Sequence, residues 1–120
     1  MKDRIRFISH QGKRILLVDA TNLSPEELVE LLPPALSRIT AEARGSVLLL
    51  ADFSGSKVDK KSLEALKPAL VLDRPYLKRS AWVGTENLPK VFYEHLKSFS
   101  QRELPLFKTR EEAMDWLVED

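Results

Sequence analysis

The chain of 120 residues contains no cysteine, which excludes disulfides, thiol nucleophiles and thiolate metal centres. It has only two histidines, His10 and His95, far apart and without metal-ligand spacing, so no transition metal is expected. No apolar run approaches the roughly 18 residues that a membrane-spanning helix needs. The N-terminus is charged (Lys2, Asp3, Arg4, Arg6) and lacks the apolar core of a secretory signal, so the cytoplasm is the expected compartment. There is no excess of one charge: the net value of +1 implies no global attraction to nucleic acid or to a membrane surface. Repeats, linkers and low-complexity tracts are also missing. What remains is a 43% hydrophobic chain, long enough for one domain spanning residues 1–120 with a substantial core.

The organising stretch runs from residue 46 to 70. Ser46 to Ala51 is continuously apolar, as expected of a central parallel strand covered on both faces. Asp52 ends it, Phe53 to Val58 form a loop, and Asp59 caps a helix that buries Leu63, Leu66 and Leu70, with Pro68 distorting it. Before this unit, residues 4–9 alternate Ile5 and Phe7 with Arg4 and Arg6, the pattern of a half-exposed edge strand. A turn at His10 to Lys13 leads into the more buried Ile15 to Val18. The turn is too short for a crossover, so the two strands form an antiparallel hairpin.

Ser24-Pro25-Glu26-Glu27 is a capping box with proline at the first helical position. The apolar stripe that follows (Leu28, Leu32, Ala35, Leu36, Ile39, Ala43) keeps its phase across Pro33 and Pro34, which predicts one kinked helix closed by Gly45. After the central unit come a strand at Ala81 to Gly84 and an amphipathic helix marked by Leu88, Val91, Phe92, His95, Leu96 and Phe99. A short strand from Leu104 to Phe107 follows, then a helix capped by Thr109 and Glu112 that buries Ala113, Trp116 and Leu117. The order is ββαβαβαβα. It predicts an α/β domain with a mostly parallel five-stranded sheet, an antiparallel N-terminal edge strand and four helices. Monotonic strand order would place most helices on one face, yet the apolar Leu48 to Leu50 asks for cover on both, which a dimer partner could supply.

This ordering resembles the STAS domain, the fold of the bacterial anti-sigma-factor antagonists. The segments Arg74-Pro75-Tyr76-Leu77-Lys78-Arg79-Ser80-Ala81-Trp82-Val83-Gly84 and Leu106-Phe107-Lys108-Thr109-Arg110-Glu111-Glu112-Ala113-Met114-Asp115-Trp116-Leu117 are similar to those of small bacterial STAS/Sec-fourteen-like proteins. The resemblance covers nearly the whole chain. In STAS antagonists the switch is a serine phosphorylated at the start of the second helix. Here Asp52-Phe53-Ser54 matches the first half of that motif and Asp59 falls near its second aspartate, but Lys60 and Lys61 stand where the acceptor serine belongs. The phospho-acceptor is therefore absent from the family's position.

Several constellations carry two readings. Asp19, Asp52 and Thr85-Glu86 follow strands expected to be parallel and so lie along one edge of the sheet, where ligands gather in open α/β folds. They could hold Mg²⁺ through hard oxygen ligands, or Asp19 and Asp52 could accept loop amide hydrogen bonds; the second reading is favoured. A phospho-receiver domain would pair Asp52, Thr85 and Lys108, but the acidic pair it needs after the first strand is replaced by Ser9 and His10. Ser54-Gly55-Ser56-Lys57 could bind an anion at the helix start, although GxxxxGK[ST] is absent and a tight polar loop explains it more simply. Residues 57–79 carry seven basic against three acidic residues, and residues 109–120 five acidic against one basic. That is either a docking face or two solvated surfaces. His95, Trp82, Trp116, Phe92 and Phe99 read as packing, and GxSxG is missing.

The resemblance, with no catalytic constellation beside it, implies a non-enzymatic regulatory or protein-interaction module without cofactors. A protein partner is expected, a homodimer is compatible, and neither nucleic acid nor a transmembrane segment is. The contact surface expected is the junction after the central strand: Asp52, Ser54, Ser56, Lys57, Lys60 and Lys61, flanked by Asp19 and Thr85. The alternative is a domain that binds a small molecule, a lipid or a nucleotide, between helix and sheet.

Overall fold

The computed structural model describes residues 2–87, 90, 94 and 105–119. A five-stranded sheet runs in the order β1-β2-β3-β4-β5, with β1 at Ile5–His10, β2 at Lys13–Asp19, β3 at Val47–Asp52, β4 at Leu77–Val83 and β5 at Leu106–Phe107. Only the β1–β2 pair is antiparallel. The described residues form three α-helices: α1 at Pro25–Thr40, α2 at Lys60–Leu72 and α3 at Arg110–Leu117. Of the helix expected over Leu88 to Phe99, Lys90 and Glu94 are described and helical, while its marker residues Leu88, Val91, Phe92, His95, Leu96 and Phe99 lie outside the described residues, as does Leu104 of the expected last strand.

The hairpin turns on Gln11 and Gly12, whose φ values of 51° and 78° are both positive. That is the type I′ geometry whose twist matches the strands it joins. The Ser24 hydroxyl accepts from the Glu27 amide at 3.2 Å while the Glu27 carboxylate accepts from the Ser24 amide at 3.0 Å, completing the expected box. α1 continues through Pro33 and Pro34 as a single element. Both prolines are exposed, so the amide donors they lack are missed on the solvent side rather than in the core.

The C-terminus of α1 differs from expectation. The helix stops at Thr40 with Ala41 as its cap, and Ala43 is exposed rather than part of the buried stripe. Gly45 donates its amide to Pro75 O at 3.0 Å and Ser46 to Tyr76 O at 3.1 Å. These bonds draw the chain away from the helix axis toward the approach to β4, and Gly45 takes its positive φ of 69° in that loop.

β4 also begins earlier than Ala81. Val47 pairs with Leu77 but Leu48 pairs with Arg79, so Lys78 is an extra residue, a bulge in a parallel pair. The bulge hid the strand from a period-two reading. Leu77 and Trp82 are five residues apart and should face opposite sides of an uninterrupted strand, yet both pack into the same core.

Strand alternation splits the interior into two layers. Leu16, Leu49, Ala51 and Trp82 meet α1 and α2 through Leu28, Leu31, Ile39, Leu66 and Leu70. Ile15, Leu17, Leu48, Leu50, Ala81 and Val83 meet Ala113 and Leu117 of α3. The continuous apolar run in β3 thus serves both faces, and the second cover comes from this same chain; no partner copy is needed to bury it. Thr109 caps α3 by accepting from the Glu112 amide at 3.1 Å, while the Glu112 carboxylate accepts from the Thr109 hydroxyl itself at 3.2 Å.

Candidate functional site at the carboxyl edge of the sheet

β2 and β3 end in register on Asp19 and Asp52. Each aspartate opens the same local device. Thr21 donates its amide (3.1 Å) and hydroxyl (2.6 Å) to Asp19 Oδ1, and Ser54 donates its amide (2.9 Å) and hydroxyl (2.6 Å) to Asp52 Oδ1. The strand ladder carries on into these turns through Ala20 N to Asp52 O and Asn22 N to Ser54 O, both 2.8 Å. The turns nest tightly. A Cβ on Gly84 would stand 2.1 Å from Ser54 Oγ, and one on Gly55 would stand 2.1 Å from Asn22 Oδ1.

The outer carboxylate oxygens converge on Arg110 at the first position of α3. Its Nε donates to Asp52 Oδ2 at 2.6 Å, and its Nη2 lies 3.4 Å from Asp19 Oδ2. Arg4 closes the other side, donating to the carbonyls of Asp19 (3.1 Å) and Thr21 (2.9 Å). Partial burial works to raise the Asp19 pKa, but the hydroxyl and amide of Thr21, joined by the charge of Arg110, outweigh it and hold the carboxyl below its ordinary range. For Arg110, partial burial acts against the charge, but Asp52 and then Asp19 more than offset it, so its pKa is raised.

A guanidinium therefore stands between the two carboxylates where the Mg²⁺ reading needs a cation, and the loop-amide reading accounts for both inner oxygens. Among the described residues no group of three or more His, Asp or Glu side chains could hold a metal. Arg110 is the residue that sequence reasoning missed. It lies 58 positions from Asp52. The available signal was a basic residue opening a helix whose first turn otherwise holds Glu111 and Glu112, against the preference of the dipole.

The other expected site residues separate into layers. Ser56 is buried: its hydroxyl donates to Ala20 O and accepts from Leu23 N at 3.1 Å, fastening one loop to the next. Lys57, Lys60 and Lys61 are exposed around the start of α2, outside that clasp. Thr85 begins a 3-10 turn after β4, and among the described residues its side chain joins none of these bonds. Trp82 is core, in tilted contact with Phe53 at 4.8 Å. Trp116 is half-buried against Phe107 and the Arg79 guanidinium. Phe92 and Phe99 lie outside the described residues. His10 is tied to Asp115 at 2.7 Å, which helps to fasten α3 to the hairpin.

A structure of an uncharacterised DUF3478-family protein from Shewanella loihica PV-4, described as having a SpoIIAA-like fold, superposes on this chain with a TM-score of 0.70. The match covers 94% of this chain and 91% of the other, at 18% identity. The fold is SpoIIAA-like. At that identity the match speaks for architecture alone. That architecture agrees with the STAS-like order of strands and helices expected from the sequence. No protein-family model matches the chain and no curated protein matches it significantly. Among the described residues of this SpoIIAA-like domain, no helix is long and apolar enough to cross a membrane.

Proposed function

We propose that this SpoIIAA-like domain is a non-enzymatic interaction module that receives an acidic segment of a partner protein at the first turn of α2. The observation that carries the reading is the direction of charge there. Lys60 and Lys61 occupy the first two positions of α2, Lys57 lies just before its cap, and the first turn holds no acidic residue. Cations at a helix N-terminus oppose the dipole by about 0.3–1 kcal/mol each. An acidic partner would relieve the lysines, while the helix end itself is capped by the Asp59 carboxylate, which accepts from the Ser62 amide at 2.8 Å. Beneath this patch, the oxygens of Asp52, Ser54 and Ser56 are engaged within the domain, so they act as the frame of the surface rather than as reacting groups.

The test is capture from native extract by the immobilised wild-type chain and by a Lys57→Glu/Lys60→Glu/Lys61→Glu variant. The expected result is a partner retained by the wild type, released by moderate salt and lost in the variant. The variant should be at least as stable as the wild type, because its new carboxylates favour the dipole. Undiminished capture by the variant, or no specific capture by the wild type, would refute the reading.

A second reading rests on the cleft between α1 and α2. It is lined by Leu32, Leu36, Phe53, Leu70 and Trp82 and has a volume of about 60 Å³. That is well below the 300–1,000 Å³ typical of small-molecule pockets, so an apolar ligand would have to spread the helices. Native mass spectrometry decides: a retained small molecule favours this reading, and the bare chain mass counts against it.

A further inference from the structure

α1 and α2 cover one face of the sheet and α3 the other. α2 and α3 nevertheless start at the same edge. α2 follows the loop that leaves the carboxyl end of β3, and Arg110 at the first position of α3 touches the strand ends at Asp19 and Asp52. Farther along α3, Asp115 reaches His10, which pairs with Lys13 at the opposite end of β2. The first turn of α3 is therefore the part of that helix at the carboxyl edge, and the edge presents two helix starts, one on each side of the sheet. The two starts differ in charge. On the α2 side Lys57, Lys60 and Lys61 are exposed, and the carboxylate among them, Asp59, is taken up by the cap. On the α3 side Glu111 and Glu112 are exposed, preceded by one exposed cation, Lys108.

Among the described residues no ion pair within the chain engages Lys57, Lys60, Lys61 or Glu111. Glu26 and Glu27 at the start of α1 share the layer and the edge with the lysines, yet neither is paired with them. The loop tips between the two starts, Asn22 and Gly55, are exposed and uncharged. A second copy turned over about a two-fold axis in the plane of the sheet, across the strand ends, brings α2 of each chain against α3 of the other. Lysines then face glutamates twice, and the contact closes on itself as an isologous pair. An axis normal to the sheet would instead set lysines against lysines, and like charges brought together cost affinity. The layout of charge selects the first arrangement. It uses the end of the sheet rather than either face, so both core layers stay as they are.

We infer that the chain pairs end to end with a second copy of itself, Lys57, Lys60 and Lys61 of each meeting Glu111 and Glu112 of the other. The inference rests on the reading of the α2 surface as a receiver of acidic groups, and it names the acidic partner. Contacts between exposed charges are individually weak and are screened by salt. The pair is therefore reversible, favoured at low ionic strength and released as salt rises.

The test is sedimentation velocity of the full chain over a range of concentrations, in low and in moderate salt. Twice the chain mass is expected in low salt and the single chain in moderate salt. Lys60→Glu/Lys61→Glu and Glu111→Lys/Glu112→Lys should each weaken self-association by about tenfold or more. An equimolar mixture of the two variants should recover the wild-type mass, because reversed lysines then meet reversed glutamates and native lysines meet native ones. Should circular dichroism show that lysines unfold the start of α3, Glu111→Gln/Glu112→Gln takes their place and should weaken pairing in the same direction. A wild type that stays monomeric in low salt, or a mixture of folded variants that does so, would overturn the pairing. So would masses that keep growing beyond two chains, since the contact would then run head to tail without closing. Pairing that survives Lys60→Glu/Lys61→Glu would overturn it too, by placing the contact elsewhere. A monomer whose lysines still capture a different protein would overturn the pairing and leave the α2 reading standing.

Discussion

Arg110 joins two carboxylates that would otherwise repel each other across adjacent strands. Asp52 is buried, so removing its partner leaves a charge without compensation. Arg110→Ala is expected to lower stability by about 2 kcal/mol, below the full penalty of a broken buried pair because the arginine is about one-third exposed. Urea denaturation measures it. Asp19 gives a signed dependence on pH. Its carboxyl is held below the ordinary range, so its stabilising contribution is complete above the unfolded value of about 3.9 and is lost as pH falls through the folded value. Asp19→Asn should therefore be less stable than wild type at pH 7, with the gap closing below about pH 4. A constant gap from pH 7 to pH 2 would contradict the assignment. Both aspartates were legible in the sequence because each ends an apolar run. Their arginine was not, because only the closed fold brings residue 110 to the strand ends.

At the scale of elements, local chemistry was readable wherever one side chain decides the backbone. Ser24 with Glu27, and Asp59, form the caps that their types demand, and Gly12 takes the positive φ that the hairpin turn requires. Reading failed where a distant bond overrules local preference. Gly45 looked like the end of α1, but Pro75 and Tyr76 claim its neighbourhood. Lys78 disrupted the alternation that would have announced β4. Ser56 looked like a surface loop residue and is instead the clasp between two elements. Ser56→Ala would leave Leu23 N and Ala20 O buried without this partner, at a cost of about 1–3 kcal/mol. The expected signature is a lower urea midpoint with an unchanged slope. An effect below about 0.5 kcal/mol, the ordinary range for surface substitutions, would show that water or a loop shift replaces the hydroxyl.

For the whole molecule, the two-layered core sets the hierarchy of stability. The layer under α1 and α2 is built by two helices, whereas among the described residues the opposite layer is covered by the eight residues of α3. Leu117, fully buried there, is the anchor. Leu117→Ala is expected to cost about 3 kcal/mol. It should also speed hydrogen exchange across the layer of Ile15, Leu17 and Leu50 more than across α1. Equal acceleration in both layers would mean that the domain opens as one unit. The fold class was legible because element order and the double-sided strand are properties of pattern. The source of the second cover was not, because a pattern says that a face is buried and not by what.

The position of α3 also has a consequence for synthesis. The chain emerges from the ribosome from its N-terminus, and strands β1 to β4 are complete while residues 110–117 have still to be added. During that interval α3 does not yet cover Ile15, Leu17, Leu48 and Leu50, and Asp19 and Asp52 lack the guanidinium of Arg110. Such surfaces attract chaperones and like chains. The contacts of Arg110 with the strand-end carboxylates and of Leu117 with the apolar face are therefore the last of these to become possible during synthesis.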